Sequence, residues 1–224
     1  MDAKTKITRK QLKQPDEFVS WGAQALHYAV AHLKYIVLGT LLLVAIIVAL
    51  VLWRQHEQVS EELAYTRLAQ GIALFHEEQR REEALTAFSQ LIAEYPRTKA
   101  AVVALLYRGR CYLAKKDLTP AIADFKSTLN KTSSKVLRAI ALNALGNSLW
   151  TQGDYRQAMD YFQQIIASGD EWFMPYAYLQ VGMCWEKLGD TKKAAAAFQE
   201  ANKYELPPPW DSLAKTRLSN LKGK

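Results

Sequence analysis

Two interlocked series of residues run through the chain at a common period. An alanine followed four residues later by a phenylalanine occurs four times, at spacings of 37, 37 and 36 residues: Ala84 and Phe88, Ala121 and Phe125, Ala158 and Phe162, Ala194 and Phe198. Four glycines precede these pairs at spacings of 38, 37 and 36 residues: Gly71, Gly109, Gly146 and Gly182. A period of this size predicts a solenoid, in which each unit buries its apolar face only by stacking on its neighbours.

Each unit is predicted to be two antiparallel helices, A and B. In the third unit, residues 139–152 form helix A, Gly153 and Asp154 form the turn, and residues 155–168 form helix B. In the second unit, Thr119 is placed to cap helix B and Pro120 to occupy its first turn. The glycines and alanines are expected where helix A meets helix B closely, and the phenylalanines are expected to fill the space between units.

The residues at these positions resemble the signature of the tetratricopeptide repeat (TPR) family over about residues 60–206. Unit four has Tyr178, Val181, Gly182, Trp185, Ala194, Phe198 and Ala201, and unit three has Leu142, Leu145, Gly146, Leu149, Tyr155, Ala158 and Phe162. Unit one matches least well, because Gly71 falls one place out of step with Ala84. The resemblance implies an all-α, right-handed TPR α-solenoid of about four helix pairs.

Residues 35–53 form an uncharged apolar segment that ends in Tyr35 and Trp53. As a helix it would be about 28 Å long, close to the hydrocarbon thickness of a bilayer, and aromatic rings favour the two headgroup regions. A core helix seldom runs this long without a polar face, and the segment lacks the cleavage site of a signal peptide. We therefore predict a single transmembrane helix that anchors the chain.

Residues 1–34 carry six Lys/Arg against three acids, whereas the chain from Arg54 onward carries 23 against 19. A basic tail favours the cytoplasmic side, so the repeats are expected on the opposite side of the membrane. The stretch at 15–34 is either an amphipathic helix lying on the inner leaflet or a plain extension of the membrane helix. The near balance of charge beyond the anchor argues against a nucleic-acid partner.

The predicted organisation has four parts: a basic tail and amphipathic helix at 1–34, the transmembrane helix at 35–53, the solenoid at 54–206, and a capping helix at 207–224. In the last part, Trp210, Leu213, Leu218 and Leu221 share an apolar face that suits a cap over the final repeat.

The sequence contains no recognisable catalytic motif or metal-ligand spacing. We therefore expect no enzymatic activity, no cofactor, no metal and no small-molecule substrate. A whole repeat lies between Cys111 and Cys184, which places them too far apart for a disulfide, and they are interpreted as small packing residues.

The resemblance to TPR proteins implies a concave face, formed by the A helices, that binds segments of other proteins. The groove positions of the family correspond here to Arg110, Asn143, Asn147, Trp150, Tyr176, Gln180 and Met183. Amide and guanidinium groups could hydrogen-bond an extended backbone or a carboxylate, while the aromatic rings and Met183 suit apolar side chains. Each of these residues, Trp150 and Tyr176 above all, could instead serve packing between helices.

An N-terminal anchor followed by compact repeats resembles bacterial YfgM-type proteins, which are inner-membrane ancillary subunits of the Sec translocon. This resemblance implies a bacterial inner membrane, a cytoplasmic N-terminus, periplasmic repeats, and the translocon or periplasmic chaperones as partners. The longer basic N-terminal region departs from that pattern. The alternative is a structural scaffold subunit of a larger membrane complex, in which the repeats hold a fixed partner.

Overall fold

A computed structural model describes residues 17–204 and 206–222 of the chain, which form α-helices and one short 3-10 helix and contain no strand. The contacts divide the chain into two units, Met1–His56 and Glu57–Lys224. The helices are α1 (Glu17–Ala31), α2 (Leu33–His76), α3 (Arg81–Glu94), α4 (Lys99–Ala114), α5 (Leu118–Lys131), α6 (Lys135–Gln152), α7 (Tyr155–Ala167), α8 (Met174–Lys187), α9 (Thr191–Ala201) and α10 (Trp210–Lys222).

The first unit contains α1 and the N-terminal part of α2. The apolar segment 35–53 lies within α2, and Tyr35 and Trp53 at its ends are 65% and 60% exposed. Among the described residues, α2 is the one helix long and apolar enough to cross a membrane, and none of its apolar window is buried. The basic tail at 1–16 lies outside the described residues.

The second unit is a stack of four helix pairs followed by α10. Its pairs are the C-terminal part of α2 with α3, α4 with α5, α6 with α7, and α8 with α9, and each B helix also contacts the next A helix. The all-α TPR solenoid expected from the repeat is therefore confirmed. The division at 54–206 and 207–224 stays a prediction.

The repeated glycines and phenylalanines meet inside each pair. A Cβ atom built on Gly71, Gly109, Gly146 or Gly182 would lie 2.5–2.6 Å from a ring atom of the phenylalanine of the same pair. All four rings are fully buried. Phe88 also stacks on Tyr107 of the next pair, with 5.6 Å between ring centroids. Each phenylalanine thus packs within its own pair, and Phe88 also packs against the next one.

The first pair keeps this contact although its sequence is one residue longer. Four residues, 77–80, separate α2 from α3, whereas two or three separate the helices of the other pairs. Three of the four form the 3-10 helix Glu78–Arg80, which absorbs the extra residue. Gly71 consequently still faces the ring of Phe88, and a Cβ atom built on it would lie 2.6 Å from the nearest ring carbon.

Polar side chains set several helix starts. Ser134 accepts a hydrogen bond from the N–H of Leu137, so α6 begins four residues before the predicted residue 139. Asp154 caps α7 in the same way, after Gly153 turns the chain at φ +90°. The prediction that Thr119 caps helix B of the second unit is wrong, because α5 begins at Leu118 and Thr119 lies inside it.

A buried ion pair joins the two helices of the second pair. The Nε and Nη2 atoms of Arg108 on α4 donate to both carboxylate oxygens of Asp124 on α5, each at 2.7 Å. The Asp124 side chain is only 7% exposed. Its hydrogen bonds raise the pKa of the Arg108 guanidinium, which therefore stays charged throughout the pH range of folded proteins.

The terminal helix α10 covers the last pair. Ala214 of α10 is buried in one apolar cluster with Leu179, Phe198 and Leu206. The ring of Trp210 lies edge-on to Tyr176, with 5.0 Å between centroids.

The two cysteines lie in the core of different helix pairs. Cys111 is 1% exposed and Cys184 is fully buried. Burial raises the pKa of the Cys111 thiol to about 11 and that of the Cys184 thiol to about 12. Since the thiolate is the nucleophile, both groups should be inert at neutral pH.

We expect neither cysteine to react with a thiol reagent such as DTNB at pH 8 until the repeats unfold. In the folded chain both thiols are protonated and inaccessible, so labelling should follow the urea unfolding curve. Rapid labelling of either cysteine without urea would contradict the packing described above.

Candidate functional site

The A helices share one register, which places equivalent side chains along the same side of the stack. The row one residue after each glycine consists of Ile72, Arg110, Asn147 and Met183. The row six residues before each glycine consists of Tyr65, Val103, Ile140 and Tyr176. These rows, together with the residues one turn away from them, define the A-helix face.

Four of the predicted groove residues form two hydrogen-bonded pairs on the neighbouring A helices α6 and α8, here called the polar cluster: Asn143, Asn147, Tyr176 and Gln180. Asn147 Nδ2 donates to Asn143 Oδ1 at 3.3 Å, and Gln180 Nε2 donates to the Tyr176 hydroxyl. Burial raises the pKa of Tyr176, and hydrogen bonds with Gln180 and Asn147 offset part of that rise. The hydroxyl is therefore neutral near pH 7 and is available to both amides.

Within the polar cluster, Gln180 contacts Tyr176 through a hydrogen bond and is itself buried. Gln180, predicted to lie on the concave face, is buried, with only 6% of the residue exposed. Its amide donates a hydrogen bond to the Tyr176 hydroxyl. Asn143, Asn147 and Tyr176 are half-buried and retain accessible surface. Their role in binding stays a prediction.

Trp150 and Met183 pack against neighbouring helices. The Trp150 ring lies edge-on to Tyr155 of α7, with 5.8 Å between centroids, and 5.9 Å from the ammonium group of Lys187. Its indole N–H is buried and finds no acceptor among the described residues. Met183 packs against the cluster under α10. These contacts are of the packing kind that the sequence left open as an alternative, and a role of the two residues in binding stays a prediction.

Arg110 is exposed on α4 and takes no part in the hydrogen bonds of the polar cluster. Its guanidinium lies 5.1 Å from the ring centroid of Phe75 and 5.4 Å from that of Tyr107. Neither aromatic residue was predicted to belong to the site. The register could have identified both, because Phe75 is the counterpart of Trp150 and Tyr107 is the counterpart of Gln180.

A cavity of about 310 Å³ opens between the N-terminal ends of α4 and α6, and we call it the apolar cavity. Its floor is formed by Tyr65, Val102, Val103, Val136, Leu137 and Ile140. Its rim is formed by Lys99, Lys131, Thr132, Ser133 and Ser134. Sequence reasoning missed this feature, although three floor residues share the register position of Tyr176.

Within residues 17–204 and 206–222, no group of three or more His, Cys, Asp or Glu side chains is arranged to hold a metal ion. The polar cluster offers neutral donors and acceptors, and its residues are amides and a phenol. Such groups can hold a ligand by hydrogen bonds.

Comparison with known proteins identifies the same repeat. A family model described as a tetratricopeptide repeat-like domain matches residues 28–223. Protein FLUORESCENT IN BLUE LIGHT, chloroplastic, from Arabidopsis thaliana is 29% identical over 113 residues, which are 47% of this chain. The chain spans only 35% of the length of that relative.

Solved structures share the fold at low sequence identity. A tetratricopeptide repeat protein from Parabacteroides merdae superposes with a TM-score of 0.59 at 15% identity, over 72% of this chain and 61% of that one. MamA gives a TM-score of 0.51 at 20% identity, over 66% of this chain and 86% of that one. YrrB, described as a TPR protein with an unusual peptide-binding site, gives a TM-score of 0.52 at 19% identity, over 67% of this chain and 72% of that one.

The family model covers most of the chain, and the glycine–phenylalanine contacts supply the packing that such repeats require. TPR domains bind other proteins or peptides and are typically scaffolds without catalytic activity, so the fold supports a protein-interaction module. The chain belongs to the tetratricopeptide repeat-like domain family.

Proposed function

We propose that this chain is a membrane-anchored module that holds an extended segment of a partner polypeptide on its A-helix face. The observation that carries the proposal is the polar cluster, in which Asn147 donates to Asn143 on α6 and Gln180 donates to Tyr176 on α8. A ligand therefore meets amides whose orientation is already fixed, which lowers the entropy lost on binding.

The chemistry of the polar cluster suits a peptide backbone. Each asparagine amide offers a donor and an acceptor, and a backbone in extended conformation presents the complementary N–H and C=O groups. Gln180 is buried and so cannot itself contact the ligand. Its hydrogen bond holds the Tyr176 hydroxyl in place.

The apolar part of α2 supports the membrane anchor. Residues 35–53 are uncharged and exposed along their whole length, with Tyr35 and Trp53 at the two ends. Leaving so large an apolar surface in water is unfavourable, whereas a bilayer would cover it. With the basic tail in the cytoplasm, the repeats would lie in the periplasm of a bacterial inner membrane.

The resemblance to YfgM-type proteins favours a role in the translocation of secreted proteins or in chaperone networks. The alternative, a fixed subunit of a larger membrane complex, is favoured by a different observation. Near the start of the repeats α2 exposes Val59, Leu63 and Tyr65, which are 49%, 50% and 46% exposed. A permanent partner could cover these side chains.

Purification of the full-length chain in mild detergent tests both roles. A transient client should be captured only after crosslinking and should vary among preparations. A fixed partner should co-purify in stoichiometric amount without crosslinking. Failure to retrieve any polypeptide under either condition would count against both.

The topology is tested separately by fusing alkaline phosphatase, which is active only outside the cytoplasm, after Lys224. We expect activity in cells that carry the fusion. A fusion to a reporter active only in the cytoplasm should be silent, and the opposite pair of results would overturn the periplasmic placement.

A further inference from the structure

The apolar cavity has the size and floor of a pocket for one bulky side chain. Its aliphatic floor is supplied by two A helices, and Tyr65 of α2 closes one side. Val136 remains 55% exposed although it sits on the floor. Covering this exposed valine with an apolar group is favourable, because it removes apolar surface from water.

The rim of the cavity offers donors. Lys99 and Lys131 form no ion pair among the described residues, and ammonium groups only donate. The Thr132 hydroxyl oxygen accepts from the N–H of Ser134, and the Ser134 hydroxyl oxygen accepts from the N–H of Leu137. The hydroxyl protons of both residues remain free to donate to an acceptor outside.

Glu61, an acid beside this rim, forms no ion pair with Lys99 or Lys131. Both carboxylate oxygens of Glu61 accept hydrogen bonds from the first N–H groups of α4, on Lys99 at 3.0 Å and Ala100 at 3.2 Å. Glu61 thus caps a helix, and the lysine side chains are left without a carboxylate. Donors around an apolar floor complement a ligand that pairs an apolar side chain with negative charge.

We propose that the apolar cavity binds a peptide segment in which a bulky aliphatic residue is flanked by Asp or Glu. This inference rests on the proposed function and names the class of partner segment. The aliphatic side chain fills the cavity over Val136 and Ile140. The flanking carboxylates meet Lys99 and Lys131, which come from two different helices and so favour an acid on more than one side.

The probe is a fluorescein-labelled peptide, Gly-Glu-Glu-Leu-Glu-Glu-Gly with blocked ends, titrated against the full-length chain in nanodiscs of zwitterionic lipid. Fluorescence anisotropy should show saturable binding that weakens as salt is added. Replacing the central Leu by Ser, or all Glu by Gln, should weaken binding at least about ten-fold, equivalent to about 1.4 kcal/mol.

Two substitutions in the chain test the site itself. Lys131→Glu and Val136→Ser should each weaken binding of the probe by about ten-fold or more, a factor equal to about 1.4 kcal/mol. The matched controls are Lys192→Glu, the same charge reversal, and Ala196→Ser, another change from an apolar residue to serine, at exposed positions outside the cavity. Both controls should bind like the unmodified chain, and all four variants should keep the same thermal unfolding midpoint.

Equal binding of the Gln-flanked peptide, or unchanged binding by both Lys131→Glu and Val136→Ser, would overturn the proposal. A co-purified partner that is lost on changing Asn147 but retained by Lys131→Glu would also overturn it, while leaving the proposed function intact. Failure of the proposed function itself would appear differently, as a chain that retrieves no polypeptide.

Discussion

Replacing Phe162 by alanine is expected to lower the free energy of unfolding by about 3–5 kcal/mol. The ring is fully buried and lies in one cluster with Ala158, Ala177 and Val181, so its loss leaves a cavity shared by two helix pairs. Urea denaturation of the full-length chain, followed by circular dichroism, measures the change. An unfolding midpoint close to that of the unmodified chain would contradict the packing described above.

Gly146, which the Phe162 ring contacts, offers a second test of the same packing. Gly146→Ala would place a Cβ 2.5 Å from two atoms of the Phe162 ring. Overpacking of this kind costs about 1–3 kcal/mol, against a gain of about 1 kcal/mol in helix propensity. We expect net destabilisation in the unmodified chain, and a smaller or reversed effect when Phe162 is already Leu. Stabilisation by Gly146→Ala alone would exclude the close approach of the two helices.

Breaking the Arg108–Asp124 ion pair is expected to have the second largest effect. Arg108→Met leaves the Asp124 carboxylate, only 7% exposed, without its two hydrogen bonds. Removing one partner of a buried pair costs about 3–5 kcal/mol, and because Arg108 is 22% exposed we expect about 3 kcal/mol. The measurement is again the shift of the urea unfolding curve.

Two comparisons separate the buried charge from lost packing. The double variant Arg108→Met with Asp124→Leu should recover much of the lost stability, because neither charge is then left alone. Arg80→Met removes an exposed ion pair with Glu83 and should leave the unfolding curve unchanged. If the double variant is as unstable as Arg108→Met alone, the loss comes from packing and the ion pair is not its cause.

The repeat could be predicted because its packing residues are local and recur. Each glycine–phenylalanine contact lies within one pair, so a single period reveals all four. The first pair looked irregular in sequence because its extra residue lies in the turn, where the 3-10 helix Glu78–Arg80 absorbs it. The start of α6 was placed too late because Ser134 was not recognised as its cap.

The candidate site was predictable only in part. Asn143, Asn147 and Tyr176 lie where the register places them, since the rows of an A helix follow from its spacing to the glycine. The burial of Gln180 could not be predicted, because it depends on the position of a tyrosine hydroxyl one helical turn away. The apolar cavity depends on how the loop at 132–134, between α5 and α6, folds beside α4, a contact that no periodicity encodes.

The central claim is that the A-helix face binds a polypeptide. Its most direct test is a photo-crosslinking amino acid at Asn147 in the full-length chain, irradiated in the cells that express it. The matched control carries the same amino acid at Gln163, an exposed residue on helix α7. We predict a discrete crosslinked polypeptide from position 147 and none from position 163. No adduct at position 147, or the same adducts from both positions, would contradict the claim.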